Sequence, residues 1–119
     1  MTGTAEHTGS TLQEVSNAMV SLHKEHFGRG PTKARSNFAG PDGLMCVLED
    51  ALLPAERKMV ELGEGDHVRD TRQRFQGATA EEFVKTVEGI VHRKVHAFAS
   101  GLDAEQNVVF ETFMFEPEE

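Results

Sequence analysis

The sequence has no tryptophan, no tyrosine and a single cysteine, Cys46. One cysteine excludes an intrachain disulfide framework and any zinc site built from several thiolates. It fits a reducing compartment, so a cytoplasmic location is expected. No run approaches the ~18 apolar residues of a membrane-spanning helix, and the opening MTGTAEHTGS lacks the apolar core of a signal peptide. Positive charge is scarce as well: 12 Lys and Arg stand against 20 Asp and Glu, for a net charge of −8. That balance removes the basic footprint on which non-specific nucleic-acid binding depends, and it disfavours adsorption on anionic lipid. Neither nucleic acid nor direct membrane insertion is expected. What is present is a globular composition: 119 residues, 38% hydrophobic and 27% charged, with eight Phe. This is enough for one domain with a core of aliphatic side chains and Phe.

Residues 1–10 read as a flexible tail, 11–115 as a single domain and 116–119 as an acidic tail. Thr11, with Glu14 three residues on, has the pattern of a capping box. Leu12, Val15, Met19, Leu22 and Phe27 then recur at helical spacing. Gly28 suits the left-handed residue that ends a helix, and Pro31 stops it from resuming. Thr32–Phe38 is expected as an edge strand, with Lys33 and Arg35 guarding against stray pairing. Ala39–Gly43 is a turn, and Leu44–Leu48 a well-buried strand. Pro54 opens a short helix at its first position, with Glu56 in the first turn. From about Asp66 to about Val91 the pattern is helical but interrupted by Gly77 and Gly89. One helix, or two with a new cap at Thr79, both fit. Lys94–Ser100 alternates as a strand, placing Val95, Ala97 and Ala99 on one side and His96, Phe98 and Ser100 on the other. Gly101–Gln106 is a turn, and Asn107–Phe115 is the strongest strand. The order α-β-β-α-α-β-β predicts an α+β fold, a four-stranded antiparallel sheet of two hairpins with helices on one face.

An antiparallel sheet with one wet face should alternate apolar and polar residues. The last strand does not: Val108, Phe110 and Met114 fall on one side, and Val109, Phe113 and Phe115 on the other. With so few helices, the second apolar side calls for another chain. A homodimer through the sheet is expected, with His96, Phe98, Phe110 and Met114 as interface candidates. Glycines beside arginine in Gly28-Arg29-Gly30-Pro31 suggest an anion pocket of Arg29, Gly30, Lys33, Arg35 and Arg72, since backbone N–H groups and a guanidinium fork suit phosphate or carboxylate. A helix C-terminus is the wrong end of a dipole for an anion, however, and a cap and turn explain the glycines equally well. His23 and His26 share a helix face, but no HExxH-type spacing appears, and neither a metal site nor a cofactor is expected. Cys46, in an apolar run, reads as an inert thiol, and no nucleophile–base set is recognisable, so no catalytic residues are expected.

The helix ending in Gly28-Arg29-Gly30-Pro31, the Leu53-Pro54-Ala55-Glu56 helix start, Gly65, Val68-x-x-x-Arg72-x-x-Phe75 and Val95-x-x-Phe98 occur in an order and spacing that resembles the MpsC-like family, over roughly Thr11 to Phe115. The family was long a domain of unknown function and is named for a Na+-translocating membrane-potential-generating system. The resemblance implies a small bacterial protein associated with membrane potential and inorganic-carbon uptake, acting as a soluble accessory partner of a membrane-system protein. It brings no catalytic residues. Thr often precedes the Pro where this chain has Leu53, so Asp50 is expected to supply the capping oxygen. The expected function is a non-enzymatic interaction or regulatory module. The alternative is a small-anion sensor or carrier using the Gly28–Pro31 loop and Arg72.

Overall fold

The computed structural model describes the backbone of residues 2–118 and the side chains of residues 8–118. Seven elements follow in the expected order: α1 (Thr2–Phe27), β1 (Lys33–Ala39), β2 (Gly43–Glu49), α2 (Pro54–Glu61), α3 (Gly65–Val91), β3 (Val95–Asp103) and β4 (Val108–Phe115). The strands form one antiparallel sheet in the order β1-β2-β4-β3, so each hairpin contributes one inner and one edge strand. α1 lies across β1 and β2 and α3 across β3, on the same face of the sheet, and α2 packs on α3.

The stripe read from the sequence buries Val15, Met19 and Leu22 of α1 against Leu44, Cys46 and Leu48 of β2 and Val109, Phe113 and Phe115 of β4. Phe83 and Val87 of α3 complete this core. Each such side chain contributes about 1.5–3 kcal/mol by leaving water. α1 ends as expected: Gly28 is left-handed (φ 83°) and its N–H donates to the Lys24 carbonyl at 2.9 Å. Gly30 has a different reason. A Cβ there would sit 3.0 Å from the Val20 carbonyl oxygen and 3.2 Å from Val20 Cγ1, so any larger residue would have to push the chain a few tenths of an ångström away from α1.

Some local expectations change. α1 begins at Thr2, well before Thr11, which is an interior helical residue and not a cap. The preceding segment contains no proline, and a helix nucleated downstream extends without a second nucleation cost. Met1 and Glu119, the outermost residues of the two expected tails, fall outside the described residues. α3 is one helix through Gly77, and the Thr79 hydroxyl donates back to the Phe75 carbonyl at 3.1 Å instead of capping a new helix. At α2 the Leu53 N–H donates to Glu56 Oε1 at 2.8 Å, one half of a capping box, while the Asp50 carboxylate expected to cap the helix accepts from Arg29 and Asn107. β3 runs on to Asp103 and carries a bulge between Val95 and Ala97. His96 is the extra residue, so Val95 falls on the same side as Phe98, not with Ala97 and Ala99.

Candidate functional site

Three arrangements compete for a role, and the first concerns the arginines. Arg29 Nη1 donates to the Asp50 and Leu52 carbonyls at 2.6 and 3.2 Å, and its Nη2 meets Asp50 Oδ2 at 2.7 Å. Arg72 is buried. Its Nε and Nη2 grip the Glu56 carboxylate at 2.8 and 2.5 Å, Nη2 also reaches the Ala51 carbonyl at 3.3 Å, and the guanidinium lies 3.8 Å above the Phe27 ring. Asn107 Oδ1 accepts the Ala51 and Leu52 N–H groups at 3.0 and 2.9 Å. Arg29 and Arg72 thus converge on one segment, residues 50–53, which links β2 to α2. Each is matched by a carboxylate. The Arg29 hydrogen bond holds the Asp50 carboxyl below its usual range. At Glu56, burial pushes the carboxyl up, but the bonds from Arg72 and the Leu53 N–H outweigh it and the net shift is downward.

The five residues expected around an anion do not surround one space. Arg29 and Arg72 flank the 50–53 link, and Gly30 packs on α1. Lys33 and Arg35 lie on the open side of β1, where Arg35 Nη1 meets Glu49 Oε2 at 2.6 Å and holds that carboxyl low.

The second arrangement is a polar row across the middle of the helix-covered face. Ser36, Cys46, Glu111 and Ser100 are successive partners across β1, β2, β4 and β3. Ser36 Oγ lies 2.7 Å from Ser16 Oγ of α1 and donates to Cys46 Sγ at 3.3 Å. Glu111 is fully buried, and its carboxylate accepts from the Ser100 hydroxyl, from Gln76 Nε2 at 3.2 Å and lies 3.4 Å from His23 Nε2. Burial pushes the Cys46 thiol up to about 11, the bond from Ser36 offsets part of this, and the Glu111 charge adds to it. Burial of this kind favours the protonated thiol over the thiolate. Glu111, Gln76 and Ser100 carry no short motif. The only sequence signal for the row was an acidic residue in the middle of an otherwise apolar strand.

The third arrangement is the opposite face of the sheet. By alternation it carries Met45 and Val47 of β2, Val108, Phe110, Thr112 and Met114 of β4, and Ala97 and Ala99 of β3. Met45, Phe110 and Met114 are 39%, 37% and 53% exposed. Beside Met114 a groove of about 740 Å³ has a floor of small residues, among them Ala39, Gly43, Ala97, Ala99 and Thr112. The charged strand residues on this face are Lys33 and Arg35 against Glu49 and Asp103, two of each sign. Of the four expected interface residues, Phe110 and Met114 belong here, and His96 borders the groove at the bulge. Phe98 lines one wall of the groove, but its pairing with Phe113 places its ring under the helices, where it stacks on Phe113 at 4.7 Å and on Phe83 at 6.1 Å.

These surfaces define a small α+β module whose sheet is covered by its own helices on one face and bare and apolar on the other. Among the described residues no helix is long and apolar enough to cross a membrane. The chain belongs to the MpsC family, described as Na+-translocating membrane potential-generating system (MpsC), whose model matches residues 7–117. Searches of curated proteins and of solved structures gave no significant match.

Proposed function

We propose that the chain is a cytoplasmic, non-catalytic interaction module that pairs with a second copy of itself through the open sheet face and serves as an accessory to a membrane system that sustains membrane potential. The observation that carries this reading is the open face itself. Met45, Phe110 and Met114 protrude beside a groove floored by Ala97, Ala99 and Gly43 on the same surface. Protrusions and groove on one patch suit a two-fold contact in which each copy fills the other. Charge supports the same partner. The whole chain carries −8, but the strand residues of this face sum to zero, so two copies meet there without the repulsion they would feel elsewhere. The family description supports the setting. Sedimentation at tens of micromolar tests the pairing. The expected result is a dimer mass, reduced to a monomer mass by Phe110→Glu combined with Met114→Glu, with the fold retained. A monomer mass for the unaltered chain sinks the pairing.

A small-anion carrier is the second reading, and one observation favours it. Arg72 Nη1 is buried without a hydrogen-bond partner among the described residues. A rise in Tm with phosphate or bicarbonate, lost in Arg72→Lys, would favour it over the first.

A further inference from the structure

The last turn of α1 and the middle of α3 bring Glu25, His26 and Glu82 together, with one donor atom from each lying within 4.8 Å of the others. His26 Nε2 is 3.0 Å from Glu82 Oε2. Its ring is fixed on both sides, edge-on to Phe75 at 5.9 Å and stacked with Phe83 at 6.1 Å, so Nε2 is aimed at the carboxylates by the packing. Glu25 makes no hydrogen bond and no ion pair among the described residues, and Glu82 has only His26. The nearby Lys85 is paired elsewhere, with Glu81 at 2.9 Å. Two carboxylates from different helices are thus held close together with one imidazole between them. They also sit at the C-terminal end of α1, the negative pole of its dipole, which favours a cation.

We propose that Glu25, His26 and Glu82 bind a divalent transition cation of the zinc type, clasping the end of α1 to α3. An imidazole and two carboxylates are a ligand set that such ions accept, and three protein ligands leave one position for water. Metal–ligand bonds of about 2.0–2.2 Å bring neighbouring donors to roughly 3–3.5 Å of each other. The His26–Glu82 spacing already meets this, and Glu25, an exposed side chain, has to swing inward. The clasp lies directly before the Gly28–Pro31 corner, so the ion would stiffen the turn that leads α1 into β1. The first helix supplies two ligands and the third lies 56 residues away in sequence, which is why no compact motif announces the site.

Titration of the full chain with zinc chloride, followed by calorimetry and by thermal unfolding, tests it. The expected result is one equivalent bound, with a rise in Tm of about 5 °C or more at a hundredfold excess over Kd. Glu82→Gln and His26→Ala should each weaken binding at least about tenfold, the loss that even outer partners of a metal ligand can cause. Glu82→Gln is an exposed isosteric change, so it keeps the test valid if His26→Ala disturbs the packing with Phe75 and Phe83. His67→Ala and His92→Ala should leave the titration unchanged. Absence of saturable zinc binding, binding that survives Glu82→Gln, or binding that follows His67 or His92 instead would overturn the proposal.

Discussion

On β4, Phe110 and Glu111 are neighbours in sequence. Glu111 is fully buried beneath the helices, while Phe110 stands on the open face with 37% of its surface exposed. The same inversion runs across the sheet. The helix-covered face carries Ser36, Cys46, Glu111 and Ser100 in its central row, and the open face carries Val47 and Phe110 alongside it. Burial of a carboxylate beside exposure of an aromatic ring reverses the usual preference of these two residue types. The buried row serves a structural purpose. Each member finds its partner only in the observed register, so a slip of any strand leaves a buried polar group unpaired, at a cost of about 1–3 kcal/mol each. The exposed apolar face has no such internal purpose. The proposed pairing would give it one, and this difference between the faces is the physical content of the proposed function.

The largest effect is expected from breaking the buried row. Glu111→Ala leaves the Ser100 hydroxyl, Gln76 amide and His23 ring facing a cavity. Each buried polar group left unpaired costs about 1–3 kcal/mol, which urea unfolding would measure. A loss below about 1 kcal/mol would mean that the row is not an energetic unit. Adding Gln76→Leu and Ser100→Ala to a Glu111→Leu chain should recover much of the stability, because an apolar core needs no partners.

Next in size is the arginine corner. Arg72→Ala removes a two-pronged grip on Glu56, a bond to the Ala51 carbonyl and the contact over Phe27. A fall of about 2–4 kcal/mol is expected, within the range for losing one partner of a largely buried pair. The pH dependence carries its own signature. Glu56 titrates lower folded than unfolded, so its contribution is present above the ordinary carboxyl range near 4.5 and is lost as pH falls through the depressed folded value. Asp50, held low by Arg29, behaves in the same sense. Melting curves should therefore show Tm falling below about pH 4.5. In Arg72→Ala that acid dependence should be shallower, because Glu56 has lost its main partner. An unchanged slope would remove Arg72 as the cause.

Much of this architecture is legible in the residues, and what is not has a common cause. Element order, the one-sided helices and the two-sided apolar character of β4 all follow from local periodicity, which records which face each residue takes. Gly28 was readable as a helix end because its role depends on its own φ. Arg29 and Arg72 stood out as cations that no local structure required, but their partners Asp50 and Glu56 lie 21 and 16 residues away. The Glu111 network joins residues 88 and 35 apart. Pairings of that range depend on the tertiary arrangement, and no spacing rule encodes them. The β3 bulge was invisible for another reason. A period of two assumes that no residue is inserted, so one extra residue at His96 moved Val95 to the opposite side from Ala97 and Ala99.

The smallest expected effect is the sharpest test of the comparison between faces, because it uses one residue type on one strand. Phe113 and Phe110 are three positions apart on β4, and alternation places them on opposite faces. Phe113→Ala removes a buried ring that stacks on Phe98, and should cost about 3–5 kcal/mol in any oligomeric state. Phe110→Ala removes a ring already partly in water, with no helix above it. Measured on monomers, at concentrations low enough to dissociate any pair, it should change stability by no more than about 0.5–1 kcal/mol. At concentrations where pairs form, the same substitution should lower Tm further and abolish the dependence of Tm on protein concentration that pairing creates. A Phe110→Ala chain with unaltered concentration dependence would show that the open face is not where copies meet. A monomer destabilised as much as by Phe113→Ala would show that the two faces of this sheet are not as different as their exposures indicate.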